Sequence, residues 1–126
     1  MAEIEPIVYV VDDDPSIARA MARLLRSAGL KGRTFTSAAD FLNSPFQRER
    51  ACLILDIKLN GINGLELQRR LLAAGIKLPV IFITAFHSPQ AMQEAKKLGA
   101  IGYFRKPIDD QALLDLIDWA LSRSGM

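Results

Sequence analysis

Three aspartates stand in a row at Asp12, Asp13 and Asp14, and a fourth, Asp56, closes an apolar run further along the chain. Thr84 and Lys106 follow two more such runs. Carboxylates gathered in one place repel one another unless a cation neutralises them. A hard divalent ion such as Mg²⁺, with Mn²⁺ as a substitute, takes oxygen ligands and keeps positions for water and phosphate. An ammonium and a hydroxyl beside that ion suit a phosphoryl group, and a carboxylate can serve as the nucleophile that forms an aspartyl phosphate. Such transfer asks mainly for positioning and charge neutralisation. Each residue also has a plainer reading. Asp14-Pro15 is a common helix start, Asp56 a turn residue, Thr84 a strand-end hydroxyl and Lys106 a solvated lysine. The chemical reading gains its force only if one framework brings all of them together.

The intervening sequence supplies such a framework. Ile7 to Val11, Cys52 to Leu55 and Val80 to Ile83 are continuous apolar, β-branched runs, as in strands buried on both faces of a parallel sheet. Ile101 to Phe104 is a shorter run, and Lys31 to Phe35 is mixed, as an edge strand would be. Between them the period changes to that of helices. One stripe holds Ile17, Met21, Leu24, Leu25 and Ala28 and is closed by Gly29. Others run through Leu65, Leu67, Leu71 and Leu72 to Gly75, and through Ala91, Met92, Ala95 and Leu98 to Gly99. The last holds Leu113, Leu114, Ile117, Ala120 and Leu121. A short helix is expected over Ala38 to Asn43, capped by Ser37. The order βαβαβαβαβα predicts an α/β domain with helices on both faces of a parallel sheet. Ligands of such sheets bind beyond the carboxyl ends of the strands. That is where Asp12, Asp13, Asp56, Thr84 and Lys106 fall.

The 126 residues, half of them apolar and 24% charged, predict one domain over 1–126, with a core at about 6–122. The net charge of +2 is spread along the chain, which argues against nucleic-acid binding by this domain. The single Cys52 lies in an apolar run and reads as a buried core thiol. No run approaches the roughly 20 apolar residues that cross a bilayer. The MAEIEP start lacks the features of a signal peptide, so a cytoplasmic location is expected.

The segments VVDDD at 10–14, LILDIKLNGINGLEL at 53–67, VIFITA at 80–85 and GAIGYFRKP at 99–107 resemble the receiver domain of bacterial two-component response regulators. The resemblance covers essentially the whole chain and is closest to the nitrogen-fixation regulator type. It implies a flavodoxin-like (βα)5 fold with strand order 2-1-3-4-5. It also implies a response regulator that accepts a phosphoryl group on Asp56 and switches an output, rather than an enzyme acting on other substrates. By position, Asp13 and Asp56 match direct Mg²⁺ ligands, Asp12 a ligand acting through water, and Lys58 a backbone-carbonyl ligand. Thr84 and Lys106 match the groups that bind the phosphoryl oxygens. Tyr103 matches a switch aromatic, and Pro107 a proline preceded by a cis bond. Asn60 departs from the family, which usually carries proline there, though Asn-Gly is itself a turn former. Lys58 and Phe86 occupy positions that line the water approach, so Phe86 is expected to change the phosphoryl lifetime.

The resemblance further implies a sensor histidine kinase or histidine phosphotransfer protein as donor, docking near the first helix, where Arg19, Arg23 and Arg26 form a polar face. It implies a homodimer through the fourth helix, fifth strand and fifth helix. A DNA-binding output domain outside this chain is one expectation, and a stand-alone phosphate shuttle or protein-binding switch is the alternative. A small aspartyl-phosphate phosphatase is disfavoured, because Asp56-Ile-Lys-Leu lacks a second acid two residues on. Flavodoxin is disfavoured by the absence of a Ser/Thr/Gly-rich loop after the first run.

Overall fold

The computed structural model of the chain describes residues 4–123, so the ends of the expected 1–126 domain lie outside the described residues. Its elements are β1 (Ile7–Val11), α1 (Pro15–Ser27), β2 (Lys31–Phe35), α2 (Ala38–Leu42), β3 (Ala51–Asp56), α3 (Gly64–Ala73), β4 (Val80–Thr84), α4 (Pro89–Lys97), β5 (Gly102–Arg105) and α5 (Asp110–Arg123). All five strands are parallel and form one sheet in the order β2-β1-β3-β4-β5.

Alternation along the strands sorts side chains between two cores. Tyr9, Val11, Leu53, Leu55, Val80 and Phe82 face α2, α3 and α4, whose Phe41, Leu67, Leu71 and Ala95 complete that layer. Val8, Val10, Cys52, Ile54, Ile81 and Ile83 face α1 and α5, meeting Met21, Leu25, Leu113 and Ile117. The continuous apolar runs follow from this, since β1, β3 and β4 are buried on both faces. The edge strand β2 exposes everything but Phe35, and its Lys31 and Arg33 discourage pairing with a further strand. Cys52 sits fully inside, and burial pushes its thiol pKa up to about 12, so it is an inert core residue.

Several details differ from the sequence expectation. Asn43 caps α2 instead of belonging to it. Ala28 caps α1 and is exposed, with Gly29 following at φ +74°. Leu72 is exposed, because the helix turns it about 100° away from Leu71. Met92 and Leu98 are only half-buried, and Ala95 alone of α4 is fully inside. More important for the site, β3 and β4 run one residue further than their apolar runs. Asp56 and Thr84 are therefore strand residues held by the sheet.

Candidate functional site

The β1–β3 register pairs Val11 with Leu55, and Asp12 and Asp56 come one step beyond. Neighbouring strands are about 4.8 Å apart, so the register alone brings two carboxylates together. Both are buried, Asp12 completely. Asp12, Asp13 and Asp56 each offer an oxygen within 4.8 Å of the others. Lys106, just past β5, reaches back across the sheet edge. Its Nζ donates to Asp12 Oδ2 and to Asp56 Oδ2, at 3.0 Å each. Its backbone N–H donates to Thr84 O at 2.8 Å, which fixes the start of that reach, and the Lys106–Pro107 bond is cis.

Three of the other carboxylate oxygens take backbone donors. Asp12 Oδ1 accepts from the N–H of Asp14, and Asp56 Oδ1 from that of Lys58. Asp13 Oδ2 accepts from the N–H of Asn60 at 3.1 Å, a bond that proline at this position could not make. The row of aspartates thus divides its labour. Asp14 is the N-cap of α1, accepting from the N–H of Ser16, while Asp12 and Asp13 turn toward Asp56.

Burial raises the Asp56 pKa, the hydrogen bond from Lys106 opposes the rise, and the charge of Asp12 adds to it. For Lys106, burial works against the cation, but the bonds to Asp56 and Asp12 outweigh it and raise its pKa. Lys106 is thus held as an ammonium against a carboxylate cluster with excess negative charge. The donor set is all oxygen and carboxylate-rich, which fits a hard divalent cation.

Two loops border the cluster. In the loop after β4, Thr84 Oγ1 accepts from the N–H of Phe86 at 3.0 Å. Phe86 is 68% exposed, and the ammonium of Lys58, from the loop after β3, lies 4.6 Å from its ring centre. Tyr103 on β5 is half-buried on the α4 side of the sheet, opposite Phe82, and its hydroxyl lies 3.0 Å from His87 Nδ1. Asp12, Asp13, Asp56 and Lys106 are thus brought into one cluster. Thr84, Lys58, Asn60 and Phe86 sit in its bordering strand end and loops, and Tyr103 is tied to one of those loops.

Sequence reasoning passed over two residues. A Cβ on Gly64 would collide with the carbonyl of Asp56, because α3 begins directly against the end of β3, with the Gly64 N–H donating to Ile57 O. The signal was Asn63-Gly64 opening a helix, where Asn63 is the cap that accepts from the N–H of Glu66. His87 is the second. The chain's only histidine, three residues past Thr84, was the available signal.

An open parallel sheet of order 2-1-3-4-5, with carboxylates and a lysine gathered at its carboxyl edge, defines the class of doubly wound α/β domains that bind ligands there. Residues 8–118 match the family described as response regulator receiver domain, and the chain belongs to that family. Among curated relatives it is similar to the transcriptional regulatory protein TdiR of Thauera aromatica, 40% identical over 115 residues, covering 91% of this chain and 51% of that protein. It is also similar to the transcriptional regulatory protein FixJ of Azorhizobium caulinodans, 39% identical over 118 residues, covering 94% and 56%. Among solved structures it resembles the response regulator StyR, with a TM-score of 0.84 and 40% identity, covering 96% of this chain and 61% of that one. FixJ-N gives a TM-score of 0.85 at 29% identity, covering 96% and 97%. The chain spans about half the length of the curated relatives it matches. Among the described residues no helix is long and apolar enough to cross a membrane.

Proposed function

We propose that this receiver domain accepts a phosphoryl group on Asp56 from a phosphohistidine partner and relays it as a change in surface. The observation that carries this reading is the Lys106 ammonium bound to both Asp12 and Asp56 at the edge of a three-carboxylate cluster. One Asp56 carboxylate oxygen attacks phosphorus. The P–N bond to the donor imidazole breaks as the O–P bond forms, and the imidazole leaves with the electron pair. Asp12, Asp13, Asp56 and the carbonyl of Lys58 would hold Mg²⁺, which when bound neutralises charge on the carboxylate and phosphoryl oxygens. Lys106 is within reach to pair with a phosphoryl oxygen. The bond from Phe86 leaves the Thr84 hydroxyl proton free to be donated, so Thr84 is the second phosphoryl-binding group.

The new group adds roughly −1.5 to −2 charges. Attraction of Thr84 and Lys106 toward it draws in the loop after β4, and Tyr103 repacks, altering the α4-β5-α5 surface, where a homodimer would form. The change is a shift between two populated states of one fold. Phe86 and Lys58 stand over the approach and slow attack by water on the aspartyl phosphate. A groove between α1 and α5, about 230 Å³ and lined by Ile17, Met21, Leu24, Lys106 and Ile108, adjoins the cluster and is the proposed seat of the donor's helix. The names of TdiR and FixJ, both transcriptional regulatory proteins, support a role in transcriptional control. On this reading the output is a DNA-binding domain in the cytoplasm, and this domain touches no nucleic acid itself.

Treatment with acetyl phosphate and Mg²⁺ followed by borohydride reduction tests the bond and its place. An acyl phosphate on Asp56 is reduced to homoserine, visible in the peptide that holds residue 56. An unreduced peptide from protein that has gained a phosphoryl group would contradict an acyl phosphate there.

A further inference from the structure

His87 has no part in the chemistry above, yet it makes the one side-chain hydrogen bond described between the loop after β4 and Tyr103. The imidazole and phenol are joined twice. Nδ1 and the hydroxyl lie 3.0 Å apart, and the rings meet edge to face, with centroids 5.5 Å apart at 72°. Both groups are half-buried, so water competes less for the bond than at an open surface. The loop that carries His87 is short and pinned at both ends. Thr84 Oγ1 holds the N–H of Phe86 on one side, and Ser88 caps α4 by accepting from the N–H of Ala91 on the other. A loop anchored this way moves as a piece, and displacement of Thr84 is passed to His87 and through its bond to the Tyr103 hydroxyl.

We propose that His87 is a positioning residue that latches Tyr103 to the Thr84 loop, so that the phosphoryl site and the β5 ring share one conformational equilibrium. This deepens the reading of Asp56 as phosphoacceptor and rests on it. The side-chain contacts described for His87 are with Tyr103 and not with the carboxylate cluster. It acts through Tyr103, setting how strongly occupancy of the site and the ring orientation depend on each other. Such a dependence is reciprocal for binding, so breaking the latch must change affinity at the site.

Beryllofluoride with Mg²⁺, a mimic of the phosphoryl group, provides an equilibrium probe, read by ¹⁹F NMR. His87→Phe keeps a ring but loses the polar atom, and Tyr103→Phe loses only the hydroxyl. Each is expected to shift the apparent dissociation constant about fivefold in the same direction, the factor given by a net hydrogen-bond contribution of about 1 kcal/mol. Because both remove one and the same bond, the double variant should shift it no further. His87→Asn, which returns a polar atom near the Nδ1 position, should come back to within about twofold of the parent, as a purely packing role would not. Binding by His87→Phe equal to the parent, or single effects that multiply in the double variant, would overturn the latch while leaving the phosphoryl site standing. Failure of the parent protein itself to bind beryllofluoride would overturn the site reading, and the latch with it.

Discussion

Asp56, the nucleophile of the proposed transfer, sits in an environment that resists its own charge. Burial raises its pKa above the ordinary value of 3.8, and the hydrogen bond and charge of Lys106, with the bond from the Lys58 N–H, offset only part of the rise. Two consequences follow. Labelling by acetyl phosphate should fall off on acidification at a pH where an unburied aspartate would still be ionised, as a pH series of initial rates would show. A carboxyl whose folded pKa is raised contributes stability below its unfolded pKa and loses it as pH rises through the folded one. At neutral pH the charge therefore costs stability. Asp56→Asn, which leaves Asp12 to pair with Lys106 and removes a like charge beside it, should stabilise the fold at pH 7. Denaturant melts should show that gain shrinking toward pH 4. Phe86 offers a second test at this scale. Phe86→Ala removes the contact with Lys58, and the aspartyl phosphate should then hydrolyse about threefold faster, the factor expected for a surface cation–π contact. An unchanged decay of the label would remove Phe86 from the account. The acids, Thr84 and Lys106 were legible because each lies within two residues of the end of an apolar run. Gly64 and His87 were not, since a close backbone approach and a single cross-loop bond leave no periodic trace.

Elements place these residues through register and caps. The β1–β3 pairing sets Asp12 beside Asp56, and the start of α3 closes tightly under the end of β3. Gly64→Ala would force that junction apart, because the new Cβ meets backbone that cannot swing away. It should cost about 2 kcal/mol in urea melts and reduce the labelling rate, since Asp56 would move with its strand. An alanine variant as stable and as readily labelled as the parent would show that the junction is looser than drawn. Strand identity and order were readable from runs bounded by polar clusters. Their last residues were not, because Asp56 and Thr84 are polar and look like loop until a neighbouring strand extends the ladder. The misplaced helix details share a cause. Ala28 and Leu72 belong to the periodic stripe by spacing, but α1 has ended at Ala28 and α3 turns Leu72 to solvent.

The molecule as a whole carries more negative charge at the carboxyl edge of its sheet than Lys106 balances, despite a net charge of +2 for the chain. A ligand that binds only the folded cluster stabilises the fold by mass action, about 2.7 kcal/mol at a hundredfold excess over its dissociation constant. Mg²⁺ should therefore raise the melting temperature of the parent and not that of Asp13→Asn, and scanning calorimetry with EDTA as reference would check it. Equal shifts in both would place the ion elsewhere. The central claim, that this edge exists to hold a phosphoryl group on Asp56, is tested most directly by intact mass after incubation with acetyl phosphate and Mg²⁺. A gain of one phosphoryl group is expected, absent in Asp56→Asn and absent with excess EDTA. No gain under conditions that label another receiver domain, or an equal gain in Asp56→Asn, would contradict it.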